Sequence, residues 1–527
     1  MGNLSTCCHS NEAEKAEQVE AGTHGCLKPS EPPLASEGLS QGEPIDAVTS
    51  GHLSEGTLTR DLTRSAMSPE LLRGVELRRT LRKRGMIWRY KPTDLSLEQR
   101  GELYEHSTHV QRLDIFLSHS WMTAGRWKYI SLLCQFGWRS MLMAWVLGIL
   151  LAFLLCLLDV LPQFLHVSII ATDDPYPASC WLMIFGWTFA LAGLLLAPYQ
   201  PPCRFVRSSE LCFLDAVCVH QADPLLMRQG IDNIVGFLEA SKELRVLWSP
   251  PYLSRLWCIF ELAAYRKMKP GGKISFAPVF VEASTLQIFM WLYTLNFAWW
   301  ISRTLRLNTA WFLITMLLLV SGGCALIHAL RLSYVSKRSL ITGMEEFDVH
   351  QVECLNESDR TSIHAAIVKW YGSLEAFSEY VRGPLRQDVL EPMKAPGSLP
   401  FGYMCILATP AVTTCFEGVL AFIKVNKSWE AILRYSLSYI FCFALCWLPA
   451  VLLLMIFLCE SWATPRSSCA SGFQTLGIVL LGCMLSMLGA AGALGAYFGG
   501  LAAILLWLGV SLLFAGIVWR YCGHRRA

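Results

Sequence analysis

The chain has 527 residues, of which 53% are hydrophobic and only 16% are charged, whereas ordinary soluble domains are about 25% charged. A mean hydropathy of +0.39 with 19 Trp and 26 Phe excludes a wholly soluble enzyme, a disordered chain and a collagen-like fibre, because a soluble core of this size cannot bury so much apolar surface. The net charge of +3 is close to neutral, so we expect no nucleic-acid partner.

The amino terminus matches the pattern for covalent lipid attachment. Gly2 and Thr6 fit the N-myristoylation motif M-G-x-x-x-[ST], and the adjacent Cys7 and Cys8 are acceptors for palmitate. Two acyl chains give durable membrane attachment, whereas one gives only marginal binding. We therefore expect acylation at Gly2, Cys7 and Cys8 and a cytosolic amino terminus; the alternative is a fortuitous match of a short pattern.

The next two segments differ sharply in charge. Residues 1–70 are predicted to form an acylated, disordered tail, because Glu, Ser, Gly and Pro dominate it and aromatic residues are nearly absent. In residues 71–111, Arg and Lys alternate with apolar residues such as Leu77 and Trp88. This basic amphipathic segment is expected either to lie on an anionic inner leaflet or to pack, as a solvated helix, on the next domain.

Four short apolar runs, near 113–121, 211–215, 245–249 and 275–281, predict buried parallel strands. Helical patterns at 231–238 and 255–265 separate the later runs. Strands that alternate with helices favour a doubly wound α/β sheet, in which ligands bind beyond the carboxyl ends of the strands. Polar residues follow the first run directly, so we expect the functional site there.

Eight runs of about 18 or more apolar residues predict membrane-spanning helices, near 140–161, 181–198, 285–302, 308–331, 401–422, 432–458, 474–494 and 498–519. The loop 162–180 contains Asp173 and Asp174 but no Lys or Arg, so the positive-inside rule places it on the external side of the membrane, opposite the cytosol. An even number of spans then leaves both termini in the cytosol. Polar residues interrupt the third run and only a glycine-rich turn divides the last two, so seven spans remain an alternative.

These segments predict an integral membrane protein in which a hairpin, 140–198, interrupts the α/β unit. A second hairpin, 284–331, follows that unit. The polar block 332–400 is expected to form a cytosolic helical module that docks on the α/β unit or on the bilayer, because its apolar residues recur at helical spacing. Four transmembrane helices, 401–519, and a basic cytosolic tail, 520–527, complete the chain.

The α/β segments carry motifs of one known family. The run DIFLSHSW begins at Asp114, CFLDAVCVHQAD begins at Cys212, and the W-C-x-x-E element consists of Trp257, Cys258 and Glu261 with two residues between the last two. On these motifs the chain resembles a Toll/interleukin-1 receptor (TIR) domain. The resemblance implies a cytosolic, flavodoxin-like α/β fold formed by 112–139 and 199–283. The inserted membrane hairpin departs from the family pattern.

The resemblance implies two activities. Many TIR domains assemble with copies of themselves or with other TIR domains through the loop after the second strand, which here contains His220, Gln221, Asp223 and Pro224. Others cleave the bond between nicotinamide and ribose in NAD+ with the Glu of W-C-x-x-E, here Glu261. A carboxylate beside the ribose would stabilise the oxocarbenium-like centre that develops as nicotinamide leaves. The residues expected to surround NAD+ as a substrate are Ser118, His119, Ser120, Trp121 and Trp257.

Two other interpretations stay open. Trp257 and Cys258 could be core residues, with Glu261 only capping a helix or pairing with Arg255 or Arg266. Glu417 is a carboxylate inside a predicted span, which is costly unless it is paired or solvated, and a transporter or channel would begin there. The first hypothesis is a membrane signalling protein that assembles through its TIR-like domain; an NAD+ glycohydrolase is the second.

No cofactor is expected to be required. His119 and His220 lack neighbouring acidic or thiolate residues at ligand spacing, so we assign no metal. The expected partners are membrane lipids and other TIR-like domains.

Overall fold

The computed structural model describes residues 61–63, 67–167, 175–201, 210–304, 309–354, 356–388, 399–464 and 467–524. The predicted acylation sites Gly2, Cys7 and Cys8 lie outside these residues, as do nearly all of the tail 1–70, the loop residues Asp173 and Asp174 and the last three residues of the chain.

One sheet of six strands organises the α/β unit, and its spatial order is β2-β1-β6-β3-β7-β8. Strands β6, β3, β7 and β8 are parallel, whereas β1 pairs antiparallel with β6 and with β2. The strands of this sheet are β1 (Arg73–Glu76), β2 (Thr108–His109), β3 (Leu113–His119), β6 (Leu211–Phe213), β7 (Ser241–Trp248) and β8 (Lys273–Pro278). A separate antiparallel pair is formed by β4 (Leu165–Val167) and β5 (Tyr176–Ala178).

The four parallel strands correspond to the four apolar runs of the sequence. When these four strands are numbered in chain order, their spatial order in the sheet is 2-1-3-4. The first four strands of flavodoxin-like doubly wound sheets have this same order. The order reverses between β3 and β7, so side chains at the carboxyl ends of these two strands border the crevice where such sheets bind ligands.

The helices of the described residues divide between the α/β unit and a helical bundle. Beside the sheet are α1 (Leu77–Arg89), α2 (Leu97–Glu105), α5 (Asp215–Cys218), α6 (Pro224–Asp232), α7 (Ile234–Ala240), α8 (Leu256–Met268), α11 (Glu357–Tyr371) and α12 (Leu374–Tyr380). The longer helices are α3 (Gly125–Leu157), α4 (Trp181–Leu196), α9 (Val279–Thr304), α10 (Thr309–Glu345), α13 (Phe401–Lys424), α14 (Trp429–Ser461) and α15 (Ser468–His524).

Six of the described helices are long and apolar enough to cross a membrane: α3, α4, α10, α13, α14 and α15. This is compatible with an integral membrane protein. The predicted span 285–302 lies in α9, which is not among these six because its polar residues lower its hydropathy. Helix α13 occupies the centre of the bundle, since 83% of its most apolar window is buried against protein, compared with 17% for α15.

Helix α15 reverses direction at Gly500. Its φ of 74° and ψ of −163° are not helical, and the ring of Trp507 lies against Gly492, which a straight helix of 1.5 Å rise per residue could not allow. The segments on either side of Gly500 therefore pack side by side, and the predicted division near Gly495, Gly499 and Gly500 falls at this reversal.

The basic segment 71–111 belongs to the α/β unit. Strand β1 extends the sheet, and Leu77, Leu81 and Trp88 of α1 are buried in the same hydrophobic core as the parallel strands. Of the two expectations for this segment, the structure supports packing on the neighbouring domain, because the apolar face of α1 is covered by protein and is not free to enter a leaflet.

Candidate functional site

Two polar clusters lie on opposite sides of β3 where that strand ends. Successive residues of a strand point to opposite faces of the sheet. Accordingly, Ser118 contacts α8 and its neighbourhood, whereas His119 contacts residues of α3 and α5. Both side chains lie at the reversal of strand order, where the sequence places the candidate site.

The first cluster, which we call the Glu261 cluster, consists of Ser118, Tyr252 and Glu261. Ser118 donates a hydrogen bond to Oε2 of Glu261, and the hydroxyl oxygens of Ser118 and Tyr252 are 2.7 Å apart. The single hydroxyl proton of Tyr252 is donated either to Ser118 or to the carbonyl of Cys258, which is 3.2 Å away. Ser118 and Tyr252 are buried and Glu261 is partly buried, so buried hydroxyl groups fix the position of its carboxyl group.

The environment of Glu261 favours its protonated form. Burial raises the pKa of Glu261 to about 8; the hydrogen bond from Ser118 opposes this rise, and the negative charge of Asp215 adds to it. At pH 7 the carboxyl group is therefore mostly neutral. A carboxyl group with a raised pKa, beside the end of a parallel strand where the strand order reverses, is typical of functional sites.

The expectation that Glu261 pairs with Arg255 or Arg266 is wrong. Arg255 forms an ion pair with Glu353 at 2.9 Å, and Arg266 forms one with Asp388 at 3.1 Å. Both arginines are thus directed toward the segment that follows α10, because its carboxylates lie against α8 on that side. Cys258 is a core residue, with 5% of its surface exposed.

The second cluster, the His119 cluster, consists of His119, Asp215, Lys128 and Trp121. The Nε2 atom of His119 lies 3.4 Å from Oδ1 of Asp215, and its Nδ1 lies 3.2 Å from Nζ of Lys128. Trp121 donates its indole hydrogen to Oδ2 of Asp215 at 2.8 Å. Both ring nitrogens of His119 thus face charged groups, which leaves neither free to act as the base of a serine nucleophile.

The charge state of His119 follows from its surroundings. Burial, together with the neighbouring ammonium group of Lys128, lowers the pKa of His119 despite the opposing effect of Asp215, so the ring is neutral at pH 7. In that state Nδ1 accepts from Lys128, and Nε2 carries the proton that faces Asp215. Burial opposes ionisation of Asp215, but His119 and the hydrogen bonds from Ala216 and Trp121 outweigh it and lower the pKa of Asp215.

The remaining residues of the predicted substrate site are less closely grouped. The Ser120 hydroxyl is buried and accepts from the Met122 backbone at 3.2 Å, so it stabilises the turn after β3. Trp257 is partly buried, and its indole donates to Oδ2 of Asp359 at 3.3 Å. Trp257 is therefore tied to the start of α11, and the structure does not bring it into either cluster.

The predicted interaction loop has a well-defined hydrogen-bonded structure. Nδ1 of His220 accepts from the backbone nitrogens of Ala222 and Asp223 at 3.2 and 2.8 Å, and Asp223 caps α6 by accepting from Leu225 and Leu226. Pro224 is the first residue of that helix, a position for which its fixed φ is suited.

This loop is connected to the candidate site, because Gln221 donates to the carbonyl of Asp215 at 3.0 Å. Leu225 follows Pro224 at the end of this loop, and 75% of its surface is exposed.

Glu417 has a structural role in the bundle. Its carboxylate accepts from the backbone nitrogen of Leu182 at 2.9 Å and from the hydroxyl of Ser179 at 3.1 Å, and it is 1% exposed. Leu182 lies in the first turn of α4, where backbone N–H groups lack partners within the helix. Glu417 of α13 therefore caps α4, and this gives a structural reason for a carboxylate inside the predicted span.

Sequence reasoning named Asp215 and Lys128 only as parts of elements and did not single out Tyr252. Asp215 lies two residues after the second parallel strand ends at Phe213, and that position at the same sheet edge as Ser118 could have indicated its role. Tyr252 follows Pro250 and Pro251 in a loop, and no sequence pattern places it beneath Ser118. Among the residues that the structure describes, no group of three His, Cys, Asp or Glu is arranged to hold a metal ion.

Comparison of the chain with protein-family models, with curated proteins and with solved structures found no match.

Proposed function

We propose that this protein is a multi-pass membrane protein that signals by assembly of a TIR-like α/β unit on the cytosolic side of the membrane. The observation that carries the proposal is the predicted interaction loop: His220, Gln221 and Asp223 fix its backbone through local hydrogen bonds, and the exposed Leu225 follows at its end. A loop that is rigid before binding loses little conformational entropy on association. The motif resemblance and the doubly wound strand order support the same assignment.

Assembly can be tested on the full chain in nanodiscs or detergent micelles. Leu225→Asp places a charge in the proposed contact, at the end of the interaction loop, so we expect a shift toward the monomer of at least about tenfold in the dissociation constant, measured by single-molecule photobleaching. Val368→Asp is the matched control, because Val368 of α11 is also exposed, by 41%. Assembly that is unchanged in Leu225→Asp, or lost equally in Val368→Asp, would contradict the proposal.

A second candidate function is hydrolysis of NAD+, and the placement of Glu261 beside Ser118 at the strand-order reversal favours it. In this reaction the bond between nicotinamide and C1′ of ribose breaks, nicotinamide leaves with the electron pair, and water adds to C1′ and releases a proton. The ionised carboxylate of Glu261 would stabilise the positive charge that develops on the ribose.

This candidate is tested by incubating the purified full chain with NAD+ and measuring the release of nicotinamide. Because the pKa of Glu261 is about 8, we expect turnover to rise with pH up to about 8 and then to level off. Glu261→Gln should lower turnover at least about a hundredfold. Glu98→Gln, on the surface helix α2, is the control. Turnover that persists in Glu261→Gln would remove this residue from the chemistry.

A further inference from the structure

A group of exposed cations on α1 lies against the end of α4. Residues 77–91 contain seven Arg and Lys and no Asp or Glu, and Lys83 and Arg84 are among the exposed ones. Within the described part of the chain, neither of these two side chains has an ion-pair partner. They belong to a segment that we call the basic turn, residues 82–85.

The basic turn has an unusual backbone conformation. Lys83, Arg84 and Gly85 have φ values of 51°, 54° and 66°, a left-handed conformation that non-glycine residues rarely adopt and that persists only where the surroundings enforce it. At Gly85 a Cβ atom would collide with the ring of Tyr129. The packing of Tyr129 on Gly85 thus fixes the turn, and the strained backbone directs two cationic residues outward.

Contacts with the two residues Pro198 and Tyr199, just after α4, set the position of the basic turn. Nε of Arg82 donates to the carbonyl of Pro198 at 3.0 Å, and the backbone nitrogen of Lys83 donates to the hydroxyl of Tyr199 at 2.7 Å. The Arg82 guanidinium also lies 5.7 Å from the centre of the Tyr199 ring. The turn is therefore attached to the residues that end this apolar helix.

The exposed residues of α4 show where the apolar surface ends. Leu195 and Leu196 are 53% and 55% exposed, on a helix apolar enough to cross a membrane, and Tyr199 follows at 51%. In membrane proteins, exposed Leu faces acyl chains, whereas Tyr is enriched at the level of the lipid headgroups. Because the basic turn contacts Tyr199, a bilayer around α4 would place it at that same level.

We propose that Lys83 and Arg84 bind the phosphate group of an anionic phospholipid in the leaflet next to the α/β unit. A headgroup there meets two cations that have no ion-pair partner among the described residues, and the acyl chains can lie along Leu195 and Leu196. This site differs from the expected flat amphipathic helix, since the apolar face of α1 is buried in protein and only its cationic turn reaches the lipid.

The test is a titration of phosphatidylserine, and separately of phosphatidylcholine, into the detergent-solubilised full chain, with bound lipid counted by native mass spectrometry. Each cation near an anionic lipid strengthens binding about fivefold. We therefore expect Lys83→Gln/Arg84→Gln to weaken phosphatidylserine binding about 25-fold and to leave phosphatidylcholine binding unchanged. The charge-preserving pair Lys83→Arg/Arg84→Lys should bind as the wild type does, which separates loss of charge from misfolding.

The matched control is Arg112→Gln/Lys267→Gln, which removes the same two charges from exposed positions elsewhere on the α/β unit. Equal weakening in this control, equal affinity of the wild type for both lipids, or unchanged phosphatidylserine binding in Lys83→Gln/Arg84→Gln would overturn the proposal. Displacement of phosphatidylserine by an equal concentration of inorganic phosphate would also overturn it, because the site would then bind free anions and not a lipid.

Discussion

Glu261 illustrates how a single residue acquires its properties from contacts distant in sequence. Its hydroxyl partner Ser118 precedes it by 143 positions, and the arginines near it in sequence form ion pairs with Glu353 and Asp388. Without a cation to favour ionisation, burial dominates and keeps the carboxyl group neutral at pH 7. In addition to its proposed role in chemistry, Glu261 therefore makes the stability of the folded chain depend on pH.

That effect can be measured as a function of pH. A pKa raised from 4.5 to about 8 in the folded chain means that this group's stabilisation is complete below about pH 4.5 and is lost progressively as the pH rises to about 8. Glu261→Gln keeps a neutral group at every pH, so its melting temperature relative to the wild type should be higher at pH 8.5 than at pH 5.5, by at least about 2 °C.

The comparison is made by thermal unfolding of the wild type and of Glu261→Gln, each as the full chain in the same detergent, at pH 5.5 and at pH 8.5. A difference between variant and wild type that does not change with pH would show that Glu261 ionises normally in the folded chain.

At the scale of elements, the segment that follows α10 packs against the side of α8 that faces away from the sheet. Phe260 stacks on Trp370 with ring centres 5.6 Å apart, and Tyr371 donates to the carbonyl of Ala263 at 3.0 Å. Near the start of the helix, the Leu256 backbone nitrogen donates to the carbonyl of Glu353 at 3.0 Å. The helix that carries Glu261 is thus fixed between the sheet on one side and α11 on the other.

Trp370→Ala should loosen α8. Removal of a partly buried indole that stacks on Phe260 costs about 2 kcal/mol of unfolding free energy, and amide hydrogen exchange in α8 should accelerate accordingly. Val368→Ala, at an exposed position of the same helix α11, should change the free energy by less than about 0.5 kcal/mol. Unchanged amide hydrogen exchange in α8 of Trp370→Ala would contradict the conclusion that α11 stabilises α8.

At the scale of the whole molecule, the sheet and the bundle are joined by continuous elements. Helix α9 begins at Val279, directly after β8 ends at Pro278. Near its start, Glu282 accepts from Ser131 of α3 at 3.0 Å, and it is buried. Helix α3 itself runs from the sheet edge into the bundle as one helix, so the sheet and the bundle share an uninterrupted element.

The bundle also depends on contacts between helices that are far apart in sequence, and Glu417 gives a test. Glu417→Ala leaves the Leu182 nitrogen and the Ser179 hydroxyl without their buried acceptor, so we expect a loss of about 2 kcal/mol. Glu417→Gln retains an acceptor oxygen and should lose less than about 1 kcal/mol. The melting temperatures of the full chain in detergent distinguish the two variants, and equal effects would argue against capping of α4 by this side chain.

Much of the architecture could be predicted because it depends on local patterns. The apolar runs at 113–121 and 245–249 indicated strands, and the glycines near Gly500 indicated a turn, since periodicity and glycine content are properties of neighbouring residues. The basic segment was ambiguous for the same reason: an amphipathic pattern identifies an apolar face but not what covers that face. Tyr252 was missed because no local pattern marks a hydroxyl that lies beneath a strand.

By itself, the sequence determined that the chain contains long apolar helices compatible with a membrane protein, that strands alternate with helices around an interrupting hairpin, and that polar residues follow the first strand. Only the tertiary structure decided that Ser118 bonds to Glu261, that Arg255 and Arg266 pair elsewhere, and that Glu417 caps another helix. The physical reason is that composition and periodicity act over a few residues, whereas pairing and burial depend on which distant segments come into contact.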